Sequence, residues 1–131
     1  MSETHATQAG QMLAAVSNTI VKLHKEQFGR GPTHARSDFA GRDTLVCTLE
    51  NALLPAERAM VEAGATDRVR EARTSLQAAT EQLFIRAIED IVGRKVRAFA
   101  SAIDPPAGVV FEVFTFHSEE EPRTDGRRPI A

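Results

Sequence analysis

The sequence predicts an α+β fold in the order α-β-β-α-α-β-β, with a four-stranded antiparallel sheet and helices packed on one face. Three observations carry that prediction. Apolar residues recur every three to four positions in a long N-terminal stretch and a long central one, the period of a helix face, whereas Thr44 to Glu50 alternates with the period of two of a strand. Glycine and proline clusters punctuate the chain at Gly29-Arg30-Gly31-Pro32, at Pro55 and at Asp104-Pro105-Pro106-Ala107-Gly108. The strand signals come in two pairs, each joined by a turn and separated by helical segments, which favours hairpins over parallel crossovers.

The first helix is expected from about Glu3 to Phe28. Met12, Leu13, Val16, Ile20, Leu23 and Gln27/Phe28 form its apolar side, with Lys22, Lys25 and Glu26 opposite. Gly29 suits a left-handed C-cap, and Pro32 stops any continuation. Two strands follow, His34 to Phe39 and Thr44 to Glu50, joined by a turn at Ala40-Gly41-Arg42-Asp43. In the second strand Leu45, Cys47 and Leu49 share a face. Pro55 fits the first position of a short helix reaching about Ala63, and Glu57 lies in its first turn, near the positive end of the dipole. Thr66 is placed to cap a longer helix from Asp67 to about Val92, closed by Gly93. Its apolar line is expected through Val69, Ala72, Leu76, Ala79, Leu83, Ala87 and Ile91, widened by Phe84 and Ile88. Lys95 to Ile103 then alternates Val96, Ala98, Ala100 and Ala102 against Arg97, Phe99, Ser101 and Ile103. After a turn that the two prolines keep out of regular strand, Val109 to Phe116 is the strongest strand, with apolar residues on both faces. These elements make one domain over residues 1–117, and residues 118–131, which lack periodicity, are expected to be a mobile tail.

With 131 residues, the chain is long enough to bury roughly two thirds of its extended surface, a real core without staples. There is no Trp or Tyr and there are seven Phe, so the core is aliphatic with a few rings. Sixteen Lys and Arg against eighteen Asp and Glu give a net charge of −2. That balance lacks the basic excess of a dedicated nucleic-acid binder, so no nucleic-acid partner is expected. One cysteine excludes an internal disulfide and a thiolate metal cage. The N-terminus has neither the basic start nor the apolar core of a signal peptide, and the longest charge-free run, Ala6 to Val21, is too short and too polar to span a bilayer. A cytoplasmic protein is expected.

Few residues suggest chemistry. Cys47 sits on an apolar strand face, so a buried, structural thiol is expected rather than a nucleophile. His5, His24, His34 and His117 stand at no recognised metal-ligand spacing, and no metal is expected. Gly29-Arg30-Gly31-Pro32 leaves a helix and enters a strand, the reverse of a phosphate loop; Arg30 could nonetheless hold an anion or a partner's carboxylate in its guanidinium fork. Glu57, beside Arg58, and Arg73, with Glu71 nearby, are charged groups able to bind a partner or to form local pairs. Asp104 opens the turn before the two prolines. Arg30, Glu57, Arg73 and Asp104 are therefore the candidate ligand- or partner-binding residues. No triad, paired-carboxylate site or cofactor fingerprint emerges, so neither an enzyme nor a bound cofactor is expected.

Phe28-Gly29-Arg30-Gly31-Pro32, Leu53-Leu54-Pro55-Ala56-Glu57-Arg58 closing at Gly64, Val92-Gly93-Arg94-Lys95-Val96 and Ile103-Asp104-Pro105 together resemble a bacterial domain family of unknown function, also labelled MpsC, the C component of a Na+-translocating membrane-potential-generating system. The resemblance runs from about Gly10 to His117, and Gly29, Arg30, Gly31, Pro32, Glu57, Gly93 and Asp104 match its motif positions. Where the family pattern has an acidic residue two before Asp104, this chain has Ala102. The resemblance implies an accessory of a membrane sodium-transport complex; with no spanning segment and no catalytic constellation, the chain is expected to be its soluble, non-enzymatic part, peripheral at the inner face of the membrane. A homodimer is a further expectation, from the two apolar faces of the last strand. The alternative is a small-ligand-sensing regulatory domain with an anion held near Arg30.

Overall fold

A computed structural model of the chain describes residues 2–118. Its elements run α1 (Ser2–Phe28), β1 (His34–Phe39), β2 (Thr44–Glu50), α2 (Pro55–Glu62), α3 (Thr66–Val92), β3 (Val96–Asp104) and β4 (Val109–Phe116). This is the α+β order that the sequence predicts. Of the expected tail, residues 119–131 lie outside the described residues.

The strands form one antiparallel sheet in the order β1-β2-β4-β3. Each hairpin pairs within itself, and β2 against β4 joins the two, with Leu45 opposite Phe114 and Leu49 opposite Val110. The central strands thus carry the most apolar inner rows: Leu45, Cys47 and Leu49 from β2, Val110, Phe114 and Phe116 from β4. Helices α1 and α3 lie across that face and close the core with Val16, Ile20, Leu23, Phe84 and Ile88. Phe84, Phe99 and Phe114 stack in series, with ring centroids 6.2 and 4.6 Å apart. Burying such side chains contributes about 1.5–3 kcal/mol each, enough to make this face the main support of the fold.

Several local expectations change. Thr66 is the first helical residue of α3, and the N-cap is Ala65, which makes no side-chain cap bond. The buried line of α3 is Val69, Arg73, Phe84 and Ile88, so Ala72 and Ala79 face outward and Leu83 is 51% exposed. The helix is rotated towards Phe84 and Ile88, because these fill the groove above the sheet better than a line of alanines. In β3 a bulge between Val96 and Ala98 breaks strict alternation. Val96, paired with Phe116, therefore packs against the core along with Phe99 and Ile103, whereas Ala98, Ala100 and Ala102 are exposed on the far side.

The turn out of α1 is built as the glycines require. Gly29 has φ 83°, and its N–H donates to the Lys25 carbonyl at 2.8 Å, a left-handed C-cap. At Gly31 a β-carbon would lie 3.2 Å from both Cγ1 and the carbonyl oxygen of Val21, so the close return of the chain against its own helix leaves little room for a side chain at that position.

Candidate functional site

Between α1, α3 and the β3–β4 hairpin lies an open cleft of about 230 Å³. Phe28, Phe84, Phe99, Ile103 and Val110 supply apolar walls, while Arg70, Thr74 and Gln77 come from α3. Its polar centre is a pair 88 positions apart in the chain: His24 Nε2 and Glu112 Oε2 are 2.8 Å apart, the imidazole N–H donating to the carboxylate. Both are buried, His24 at 5% exposure and Glu112 at 2%. His24 continues the apolar stripe of α1 one turn past Ile20, and Glu112 occupies the inward row of β4 between Val110 and Phe114. The helical and strand periods therefore force both inward. Phe28 and Phe84 flank the imidazole, with centroids at 5.8 and 5.6 Å, the latter edge-on at 83°. They hold the ring in the orientation that meets Glu112.

The pair is incompletely satisfied. Glu112 Oε1 and, on the α1 side, Gln27 Nε2 are buried without a hydrogen-bond partner among the described residues. A buried polar group left unpaired costs about 1–3 kcal/mol, more when charged. Such a cost is tolerable where something from outside completes the bonding. In chemical terms the floor of the cleft offers one acceptor and one donor to whatever enters.

At the cleft mouth the structure brings together two of the four candidate residues. Arg73 donates from Nε to Glu57 Oε2 at 2.7 Å and from Nη2 to Glu57 Oε1 at 2.6 Å, and its Nη2 also reaches the Ala52 carbonyl at 2.8 Å. Its guanidinium lies 4.0 Å from the centre of the Phe28 ring. Glu57 accepts from the Leu54 backbone N–H at 2.8 Å as well, which caps α2. Burial alone would raise the Glu57 carboxyl, but the Arg73 hydrogen bonds, the Leu54 N–H and the Arg73 charge outweigh it and hold its pKa below the ordinary value. The pair fastens α2 to α3 and braces Phe28; Arg73 lines the cleft and Glu57 stands behind it.

Arg30 and Asp104 lie apart from this arrangement. Arg30 is exposed on the turn after α1, and Asp104 caps its own turn, accepting from the Ala107 N–H at 3.2 Å. Neither lines the cleft. Cys47 is fully buried, and burial outweighs the lowering by the Ser37 hydrogen bond and, with smaller contributions from the Glu112 and Asp38 charges, pushes its thiol up to about 11. It is a thiol at neutral pH and therefore a poor nucleophile. Among the described residues no three His, Cys, Asp or Glu side chains come together as a metal site.

His24, Gln27 and Glu112 were not among the sequence candidates. One signal pointed to Glu112: a carboxylate within the inward row Val110, Phe114, Phe116 of an otherwise apolar strand. A charge there demands a partner, and His24 on the apolar stripe of α1 is the matching anomaly.

Residues 8–118 match the family model described as "Na+-translocating membrane potential-generating system (MpsC)". The chain belongs to the MpsC family. The match covers every element apart from the first residues of α1, so cleft, Arg73–Glu57 pair and glycine turn all fall inside the MpsC region. No curated protein and no solved structure matches the chain. The family description links the MpsC family to a sodium-translocating, membrane-potential-generating system, and among the described residues no helix is long and apolar enough to cross a membrane.

Proposed function

We propose that this MpsC-family protein is a non-enzymatic accessory of a membrane sodium-transport complex, held peripherally on its cytosolic side and responsive to a small ligand bound in the α1–α3–sheet cleft. The observation that carries the reading is the cleft floor, where a buried carboxylate keeps one oxygen unpartnered beneath apolar walls. Pockets for small molecules combine such walls with a few convergent polar groups. Binding is favoured over catalysis because the one cysteine is buried and protonated, and Glu112 and His24 are engaged with each other. The sensing site is therefore this cleft rather than Arg30.

The test has two arms. Cross-linked recovery of the tagged protein, with membrane and soluble fractions separated, should enrich an integral membrane transporter; recovery of the chain alone refutes the accessory role. A ligand-observed fragment screen should give binders that the mouth-filling variant Thr74→Trp abolishes. Binders indifferent to Thr74→Trp refute the cleft as the sensing site.

A second reading, a homodimer, is favoured by the outer face of the sheet. There Phe111 is 38% exposed between Thr48 and Ala102, and Val46, Val113 and Ala100 form the next row. Phe111→Lys should turn a dimer into a monomer in sedimentation; an unchanged sedimentation coefficient refutes a dimer through this face.

A further inference from the structure

We propose that the ligand of the cleft is a compact apolar primary amine carrying an oxygen acceptor beside the amine, the chemistry shared by an apolar amino acid and its amino alcohol. The proposal rests on the reading of the cleft as a ligand site. Three features of the cleft set the class.

The first is charge. Glu112 is 2% exposed, and His24 satisfies only its Oε2. Of the groups that can donate to Oε1, a cation also offsets the carboxylate's charge and an ammonium is the most compact of these; a charge-assisted bond is roughly twice as strong as a neutral one. Ser101, paired with Glu112 across the β3–β4 ladder, brings a hydroxyl to the same floor for a second ammonium N–H.

The second is the unpartnered Gln27 Nε2, a buried donor that an ammonium cannot satisfy. The ligand must therefore present an acceptor as well, and a hydroxyl or carboxylate oxygen next to the amine does so. Arg70 also lines the cleft; half-exposed and only loosely paired with the exposed Asp67 at 3.5 Å, it is a cation suited to the carboxylate case.

The third is size. A cavity of about 150 Å³ holds benzene, and this one is about 230 Å³. That leaves room for a branched aliphatic body or a single ring plus a two-carbon polar head, and it falls short of the roughly 300–1,000 Å³ of pockets for drug-sized ligands.

A matched set of probes separates these features: L-leucine, leucinol, 3-methylbutylamine, which lacks the acceptor, and 4-methylpentanoate, which lacks the amine. Titration calorimetry on the full chain should show leucine or leucinol binding, the bare amine at least tenfold weaker, and 4-methylpentanoate not binding. Leucine over leucinol assigns the carboxylate as the acceptor; the reverse assigns the hydroxyl. Glu112→Gln should cost at least tenfold for every amine. Gln27→Leu should weaken leucine and leucinol and leave 3-methylbutylamine unchanged, a split that a merely unstable variant would not produce. Equal binding of 4-methylpentanoate, indifference to both substitutions, or no binding by any amine at millimolar concentration overturns the proposal. In that last case an ordered water bridging Gln27 and Glu112 is the simpler occupant. Fragments of another class that Thr74→Trp still blocks would leave the cleft standing as a ligand site while this assignment of its ligand fails.

Discussion

Removing the Arg73 guanidinium tests the physical account of the cleft mouth most directly. In Arg73→Ala, Glu57 loses both arms of a bidentate pair, at 2.6 and 2.7 Å, and the Ala52 carbonyl loses its 2.8 Å donor. The Phe28 ring loses the cation 4.0 Å above it. The two side chains are 8% and 13% exposed, so solvent replaces little of this. Breaking a buried ion pair from one side costs about 3–5 kcal/mol, because the surviving charge remains buried and uncompensated. The cation–π contact is worth about 0.5–2 kcal/mol more in isolation, but it shares the same guanidinium and does not simply add. A loss of about 3–5 kcal/mol is therefore expected, seen as a fall of roughly 10–20 °C in melting temperature for a domain of this size. Glu57→Gln keeps an acceptor for the Leu54 N–H and should cost less, and a double-mutant cycle should return a coupling of about 1–3 kcal/mol. The pH dependence follows from the depressed Glu57 pKa. With the folded value below the unfolded one of about 4.3, the contribution is complete above that unfolded value and is lost as pH falls through the folded value. The difference between wild type and Glu57→Gln should thus be constant near neutrality and shrink under acid. Chemical denaturation of the four proteins at pH 7 and at pH 3.5 measures all of this. A loss below about 1 kcal/mol for Arg73→Ala, or a Glu57→Gln difference that persists unchanged into acid, would refute the reasoning.

Gly29→Ala should destabilise by about 1–2 kcal/mol, because φ is 83° and nothing crowds the new methyl, so the whole cost is backbone strain; an unchanged melting temperature would count against the cap. The Cys47 thiol, pushed up to about 11 and fully buried, should resist a disulfide reagent at pH 8, where roughly one part in a thousand would be thiolate. Its reaction should become fast only in denaturant, and rapid labelling of the native protein would contradict its burial. Leu83→Lys, on the outward side of α3, should alter stability by no more than about 0.5 kcal/mol, whereas Ile88→Ala on the buried side should cost about 2–5 kcal/mol. Comparable losses at the two positions would mean that the helix is rotated as its alanine line suggested.

The sequence by itself determined the type and order of every element, because those depend on local quantities. Period 3.6 against period 2, a proline at the first position of α2, and glycines able to take positive φ after α1 and α3 act within a few residues and can be read in line. It also marked Cys47 as buried, since strand alternation alone puts it beside Leu45 and Leu49. Glu57 and Arg73 were legible as charged candidates, but not as a pair. What joins them is the fold of α2 back along α3, and two side chains sixteen positions apart on different helices carry no mutual period. Only the tertiary structure decided which part of the broad apolar stripe of α3 faces the sheet: Phe84 and Ile88, which widen the stripe, fill the groove, while Ala72, Ala79 and Leu83 of its central line face outward. The bulge at Arg97, which turns Val96 inward, is set by the pairing of β3 with β4. The cleft was beyond the sequence for the same reason: its floor is a histidine from α1 and a glutamate from β4, and each looks anomalous on its own apolar face until the packing of the two elements sets them 2.8 Å apart.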